Sequence, residues 1–129
     1  MKIVLANGCF DIFHYGHLKH LEAARKLGDK LWVSVTRNEF VNKGEGRPYF
    51  DELQRLEVIK SLRCVSFAFL TESSIEALRF AKPKVFVKGK GYEYCMRLED
   101  GEYCKENGIE IAFTDEPTYS STKILNGLR

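Results

Sequence analysis

The chain has 129 residues and a formal net charge of +2, with 44% hydrophobic and 29% charged residues. This composition is that of an ordinary globular protein, and we expect one domain spanning residues 1–129. The basic residues are scattered along the chain, which argues against a nucleic-acid partner. No apolar stretch approaches the roughly 20 residues that a membrane helix needs, which argues against a membrane partner.

The first residues and the cysteines predict a cytoplasmic protein. Residues 1–6 form a short strand-like run that ends at Asn7-Gly8, a pattern unlike that of a signal peptide. The four cysteines contain no CxxC pair and no zinc-ribbon spacing, and we expect reduced thiols rather than a disulfide framework or metal ligands. These cysteines are Cys9, Cys64, Cys95 and Cys104.

Short β-branched runs alternate with helical patterns along the chain. Strands are predicted at residues 3–5, 31–35, 65–70, 85–87 and 109–113. Helices are predicted from about 18 to a glycine cap at 28, from 51 to 62, from 73 to before 83, and from 120 to 128. This alternation predicts an α/β fold, a Rossmann-like doubly wound parallel sheet. Its strand C-termini, and therefore its site, should lie along one edge.

Two longer stretches are predicted as loops at that edge. The first, residues 36–48, contains Lys43, Gly44, Gly46 and Arg47. The second, residues 88–98, begins with Lys88-Gly89 and lies directly after a predicted strand. A solvated charge on the first loop is one explanation for Arg47.

The most informative segment joins the first strand to the first helix, between Asn7 and His17. Backbone N–H groups at a helix start, together with the helix dipole, favour an anion there. Gly16 leaves space for a ligand to approach the backbone. His14 and His17 lie three positions apart, so both rings can face the same side and donate hydrogen bonds to phosphate oxygens.

A zinc site is the competing explanation for these histidines. His14, His17 and His20 are spaced at three-residue steps, but no carboxylate or cysteine stands at a supporting interval. We therefore predict no protein metal site, and we interpret His20 as a surface or packing residue.

The run Gly8-Cys9-Phe10-Asp11, followed by His14-x-Gly16-His17, resembles the HxGH signature of the cytidylyltransferase-like nucleotidyltransferase superfamily. Further segments fall in the order of that superfamily, so the resemblance covers nearly the whole chain. Within it, the motifs are most similar to the nucleotidyltransferase domain of ADP-heptose synthases, and next to glycerol-3-phosphate cytidylyltransferases. These segments are 43–48, 62–65, 82–89 and 119–122.

The resemblance implies Mg²⁺-dependent transfer of a nucleotidyl group to a phosphorylated acceptor, release of pyrophosphate, and a homodimer. It implies catalytic roles for His14, His17 and Lys43, with Lys43 folding over the phosphates. It also implies that the other motif residues bind the nucleotide, while an N-cap explains at least one of the three hydroxyls equally well. The implied nucleotide-binding residues are Asn7, Gly8, Cys9, Phe10, Asp11, Gly16, Arg47, Lys88, Gly89, Ser120, Ser121 and Thr122.

Two departures from the superfamily pattern bear on the substrates. Residues 114–117 supply no cation before the serine-threonine segment, where cytidylyltransferases carry an arginine, and this favours ATP over CTP. Residues 90–92 lack the aspartate that commonly follows Lys-Gly in the heptose-type enzymes. We expect adenylyl transfer to a sugar phosphate such as heptose 1-phosphate. The alternatives are a CTP-dependent glycerol-3-phosphate enzyme and a nucleotide-sensing module without catalysis. Arg55 and Arg63 match superfamily arginines, but salt bridges explain them equally well.

Overall fold

The computed structural model of the chain describes residues 1–41, 44, 46–89 and 96–115. Within these residues five parallel strands form one sheet with the order β3-β2-β1-β4-β5. The strands are β1 (Ile3–Gly8), β2 (Lys30–Thr36), β3 (Phe67–Thr71), β4 (Val85–Lys88) and β5 (Glu110–Phe113). All five predicted strands are therefore present, and the strand order reverses between β1 and β4.

Helices cover both faces of the sheet. They are α1 (Tyr15–Arg25), α2 (Glu52–Lys60), α3 (Ser74–Ala81) and α4 (Leu98–Glu106), and a short 3₁₀ helix occupies Asn38–Phe40. Residues of α1 and α2 pack in the core on one face, and residues of α3 and α4 pack on the other. This arrangement confirms the predicted doubly wound α/β fold. In the described part of the chain, no helix is long and apolar enough to span a membrane.

The central strand explains the continuous apolar pattern of the sequence. Val4 and Ala6 of β1 are fully buried against the α1 and α2 face, while Leu5 between them is fully buried against the α3 and α4 face. A strand covered on both faces needs no polar alternation, which is why the run appeared as a short uninterrupted apolar segment.

The α3 and α4 face of the sheet becomes polar at its C-terminal edge. Side chains alternate between faces along a strand, so the positions two or four residues beyond the apolar core residues lie on the same face. On this face Leu5, Trp32, Phe69 and Phe86 are followed by polar residues at the ends of β1 to β4. Those residues are Asn7, Ser34, Thr36, Thr71 and Lys88.

Two helix predictions were wrong in detail. Leu53, Leu56, Ile59 and Leu62 have the helical spacing that predicts one buried stripe, but Leu53 is 63% exposed and Arg55 is buried in its place. Helix α1 ends at Arg25 rather than at Gly28, and Leu27 is exposed. In both helices the buried stripe is turned or shortened relative to the sequence pattern, because tertiary packing outweighs the spacing of individual leucines.

Helix α4 was not predicted at all. Its sequence is polar and contains Gly101, and its buried residues are Asp100 and Cys104. The sequence therefore has no apolar stripe that would predict this helix. The predicted final helix, residues 120–128, lies outside the described residues.

Candidate active site

The turn that follows β1 is built around a buried aromatic ring. Phe10 has a positive φ of 55°, in a backbone region that residues other than glycine rarely adopt. Its ring lies against Gly8, where an added Cβ would come within 2.8 Å of a ring carbon. The ring also meets His17 edge to face, with centroids 5.3 Å apart. Gly8 and Phe10 therefore fix the course of the turn and support one of the two predicted catalytic histidines.

His14 and His17 form a reciprocal cap at the start of α1. The His17 backbone N–H donates to Nδ1 of His14 at 3.4 Å, and the His14 backbone N–H donates to Nδ1 of His17 at 3.3 Å. The two rings are stacked with centroids 3.8 Å apart and planes inclined by 15°. Because each Nδ1 accepts a hydrogen bond, the proton of each neutral ring lies on Nε2. Both Nε2 atoms are thus donors, as recognition of phosphate oxygens requires.

Three carbonyl groups of the turn are bonded to donors within the protein. Thr36 Oγ1 donates to the Gly8 carbonyl at 3.3 Å, and Arg55 Nη1 donates to the Cys9 carbonyl at 2.9 Å. The Asp11 carbonyl accepts a hydrogen bond from Nη2 of Arg47. These contacts turn the negative ends of the peptide dipoles into the protein, which favours an anion on the opposite side of the turn.

Asp11 binds the loop that leads into α2 rather than a histidine. Its side chain is fully buried and accepts hydrogen bonds from Nε of Arg47 at 2.9 Å and from the N–H groups of Tyr49 and Phe50 at 2.6 and 2.8 Å. Burial by itself raises the pKa of Asp11, but these two N–H groups and Arg47 outweigh it, so the pKa lies below 3.8.

Arg47 is nearly buried on Asp11, with a side chain only 4% exposed. A solvated loop charge is therefore not what the structure contains. Its predicted contact with the nucleotide stays a prediction, since in the described arrangement the guanidinium is bound to Asp11 in the turn that follows β1.

Arg55 is a structural centre of the site whose role the sequence did not reveal. It is 2% exposed and donates to the carbonyls of Phe50, Cys9 and Thr36 and to Oδ1 of Asn38, at 2.7 to 2.9 Å. One side chain therefore joins α2, the turn, the end of β2 and the 3₁₀ helix. Arg55 lies four residues before the buried Ile59, and this helical spacing was the one available signal.

A polar cavity of about 210 Å³ opens beside the turn, at the C-terminal ends of β1 to β4. Its described lining includes Asn7, Lys88, the first residue of α3 and Arg97, which directly precedes α4. Lys88 Nζ lies 4.9 Å from the Phe86 ring centroid. Burial lowers the pKa of Lys88, and the neighbouring Arg97 acts in the same direction, while Asp100 opposes the shift.

His20 is a packing residue, as its position one helical turn beyond His17 suggested. Its Nδ1 lies 2.7 Å from Thr114 Oγ1 at the end of β5. Burial, assisted by the charge of Lys88, lowers the pKa of His20 to about 4. The imidazole is therefore neutral near pH 7.

Of the remaining predicted site residues, two lie at the edge of the site and four lie outside the described residues. Gly16 is buried in the first turn of α1, and Gly89 follows β4 at the same edge of the sheet. Lys43, Ser120, Ser121 and Thr122 lie outside the described residues. Among the residues that the structure describes, no group of three or more His, Cys, Asp or Glu side chains is placed to hold a metal ion.

The fold and the site together define a doubly wound α/β protein with a histidine-containing turn at the switch point of its sheet. Residues 5–126 match the family described as cytidylyltransferase-like, and the chain belongs to that family.

Two curated relatives and one solved structure illustrate the similarity. The chain is 38% identical to the bifunctional protein HldE of Desulfatibacillum aliphaticivorans, covering 99% of this chain but only 27% of that protein. It is also 38% identical to the FAD synthase of Methanocorpusculum labreanum, covering 98% of this chain and 94% of that protein. A lipopolysaccharide core biosynthesis protein from Thermoplasma volcanium has the same fold, with a TM-score of 0.76 and 29% identity over 92% of this chain and 99% of that one. The chain thus spans less than a third of the HldE protein and nearly all of the other two.

Proposed function

We propose that this chain transfers an adenylyl group from ATP to the phosphate of a small phosphorylated sugar, such as heptose 1-phosphate. An oxygen of the acceptor phosphate attacks the α-phosphorus, a new P–O bond forms, and the bond to the β-phosphate oxygen breaks to release pyrophosphate. A phosphate monoester is an anion near neutral pH, so this attack needs no general base. The protein must supply alignment and positive electrostatic potential.

The observation that carries the proposal is the stacked pair of histidines. Their Nδ1 atoms are held by each other's backbone N–H groups, so both Nε2 donors are fixed before any ligand binds. Donors fixed in advance stabilise charge that grows in a transition state without the cost of reorganisation. Lys43 and the hydroxyls of Ser120, Ser121 and Thr122 are assigned to the triphosphate on the family resemblance.

Magnesium enters this proposal with the nucleotide. The carboxylate of the turn, Asp11, accepts hydrogen bonds with both oxygens from Arg47, Tyr49 and Phe50. It is therefore not suited to act as a metal ligand. Mg²⁺ is commonly held by substrate phosphates and water rather than by a protein cage. We therefore assign it to the triphosphate as a counterion, and no protein ligand is proposed.

ATP is the preferred donor for two reasons, the adenylyl-containing products of the relatives and the absence of one arginine. A FAD synthase makes a product that contains an adenylyl group, and the heptose-type enzymes that the motifs resemble do the same. The chain also carries no cation at residues 114–117, where the CTP-dependent enzymes have an arginine.

A second possible acceptor follows from the relative that this chain covers almost completely. The FAD synthase is covered over 94% of its length, so a flavin phosphate is the alternative acceptor for an otherwise identical reaction.

Transfer from α-labelled ATP to a panel of acceptors tests the proposal directly. The panel contains heptose 1-phosphate, glucose 1-phosphate, glycerol 3-phosphate and flavin mononucleotide, each with Mg²⁺. Labelled product and an equal amount of pyrophosphate are expected with a sugar phosphate. Label transferred only from CTP, or only to the flavin, would move the chain to one of the alternatives.

A further inference from the structure

Asp100, in the first turn of α4, is a buried carboxylate whose hydrogen bonds are incomplete. It is fully buried, and its Oδ2 accepts a hydrogen bond from Ser74 Oγ at 2.5 Å. Its Oδ1 accepts no hydrogen bond from the part of the chain that the structure describes. A buried carboxylate is costly unless hydrogen bonds and an opposite charge balance it. One hydrogen bond and the N-terminal end of a helix leave part of that cost to be offset by a nearby cation.

The fold brings Lys88 to this carboxylate. Lys88 stands two residues beyond Phe86 on β4, so its side chain extends from the face of the sheet that α3 and α4 cover. Its Nζ lies 4.9 Å from the Phe86 ring centroid. Ser74, which donates to Asp100, lines the same cavity as Lys88. Asp100 therefore lies one hydrogen bond behind the cavity lining, on the face from which Lys88 extends.

The surroundings of Lys88 disfavour an ammonium ion unless a carboxylate is present. Burial lowers the pKa of Lys88, Asp100 opposes this shift, and the exposed Arg97 adds to it. A neutral lysine has no positive charge to offer a phosphate group. Loss of the charge on Asp100 should therefore lower the pKa of Lys88 further and weaken its hold on an anion.

The other titratable groups near Lys88 do not replace Asp100. Burial is the main cause that lowers the pKa of His20 on α1 to about 4, so its ring is neutral near pH 7. Burial raises the pKa of Cys104, one turn after Asp100, to about 11, so its thiol is neutral as well. Glu72 lines the cavity from the end of β3, with β2 and β1 between it and Lys88. Within the described ranges, Asp100 is thus the carboxylate that balances Lys88.

From this geometry we infer that Asp100 is a positioning residue of the site. Bonded to Ser74, it fixes the place and the positive charge of Lys88 for the phosphate groups of the nucleotide. It touches no substrate and acts only through Lys88. This inference rests on the proposed role of Lys88 in nucleotide binding, and it adds a residue from α4, the helix that no sequence pattern predicted.

Replacement of the charge alone tests this role. Asp100→Asn keeps a side-chain oxygen that can accept the hydrogen bond from Ser74. Carbon-13 NMR of Lys88 Cε, assigned by the loss of its signal in Lys88→Gln, should show that the pKa of Lys88 falls by about 1. The matched control is Glu102→Gln, an exposed position on the same helix, which should leave that pKa unchanged. An unchanged pKa of Lys88 in Asp100→Asn overturns the inference.

Nucleotide binding supplies a second readout that a purely structural contact would not move. At a pH where Lys88 is protonated in both chains, Asp100→Asn and the unmodified chain should bind a non-hydrolysable ATP analogue with Mg²⁺ equally. As the pH rises through the lowered pKa of Lys88, the affinity of Asp100→Asn should fall behind by about tenfold. In a Lys88→Gln background, Asp100→Asn should cause no further loss. A loss that is the same at every pH, or that persists without Lys88, overturns the inference.

A second variant and the NMR titration keep the two proposals distinguishable. Asp100→Ser also removes the charge and keeps a hydroxyl for Ser74, so it gives the same test if Asp100→Asn does not fold. An unmodified chain that binds the ATP analogue at no pH would contradict the proposed function. The titration of Lys88 decides the role of Asp100 even then, with a lower pKa in the variant as the expected result and an unchanged pKa as the contradiction.

Discussion

His14 is the N-cap of α1, and the role that we propose for it as a donor to phosphate can be separated from this cap by substitution. His14→Ala removes both and should lower the free energy of unfolding by about 0.5–2 kcal/mol and turnover by about 10²-fold or more. His14→Asn restores a side-chain acceptor at the cap, so stability should recover while turnover stays low. Denaturant unfolding and a pyrophosphate-release assay measure the two quantities. Near-normal turnover in His14→Asn would show that the imidazole serves only as a cap.

Asp11 should make the stability of the chain sensitive to acid. Its pKa is lowered in the folded chain, so its stabilising contribution is complete above the unfolded value of 3.8 and is lost as the pH falls through the lower folded value. The free energy of unfolding should therefore drop as the pH falls below about 4. In Asp11→Asn this part of the drop should be absent, and the variant should be less stable at pH 7 by about 3 kcal/mol because the buried Arg47 loses the carboxylate that balances its charge.

The exposed Asp29 provides the control for that experiment. Asp29→Asn should keep both the stability at pH 7 and the acid-dependent drop of the unmodified chain. The same acid dependence in Asp11→Asn and in the unmodified chain would contradict the role given to the Asp11–Arg47 pair.

Sequence reasoning located the histidine turn because its chemistry depends on neighbouring residues. Gly8, Phe10, His14 and His17 lie within one short segment, and their spacing at a strand-to-helix junction was visible without a structure. Contacts between distant segments were not visible. The bond from Arg55 to the Cys9 carbonyl joins residues 46 positions apart, and no local pattern encodes it.

Helix α2 acts on the site through Arg55, and a shorter, non-planar cation cannot replace it. Lysine presents a single ammonium group and cannot reach the carbonyls of Cys9, Phe50 and Thr36 together. Arg55→Lys should therefore lower the free energy of unfolding by at least about 2 kcal/mol and also reduce kcat/KM for the nucleotide. Thermal unfolding and steady-state kinetics measure the two effects.

Arg63 is the matched control, since it is exposed just beyond the same helix. Arg63→Lys should change stability by no more than about 0.5 kcal/mol. Equal stability and kinetics in the two variants would contradict the position of Arg55 at the centre of the site.

The elements themselves were predictable to different degrees for a physical reason. Strands β1, β2 and β4 carry largely apolar runs without polar alternation because both of their faces are covered. Helix α4 was missed because it attaches through Asp100 and Cys104 rather than through an apolar stripe. Its buried carboxylate gains stability from Ser74 and Lys88, which are distant in sequence.

At the scale of the whole molecule, the parallel sheet was predictable and its strand order was not. The order β3-β2-β1-β4-β5 places the ends of β1 and β4 side by side at the switch point. The histidine turn after β1 and Lys88 at the end of β4 therefore lie at the same edge of the sheet, although they are far apart in the sequence. A cavity between four strand ends exists only once that order is known.

The preference for ATP over CTP that we propose depends on contacts from several segments of the chain. One polar contact made by one base and not by another separates two ligands by roughly 1–3 kcal/mol, which is about ten- to a hundredfold in affinity. Calorimetry with non-hydrolysable ATP and CTP analogues and Mg²⁺ should show tighter binding of the ATP analogue. A tenfold preference for the CTP analogue would indicate a polyol-phosphate cytidylyltransferase instead.

The most direct test of the central claim is transfer of label from α-labelled ATP to glucose 1-phosphate or heptose 1-phosphate in the presence of Mg²⁺. The unmodified chain should form a labelled sugar nucleotide together with an equal amount of pyrophosphate, and the unphosphorylated sugar should accept no label. His17→Ala should reduce the rate by about 10²-fold or more. A chain that binds the ATP analogue but transfers label to no phosphorylated acceptor would contradict the account and identify a nucleotide-sensing module.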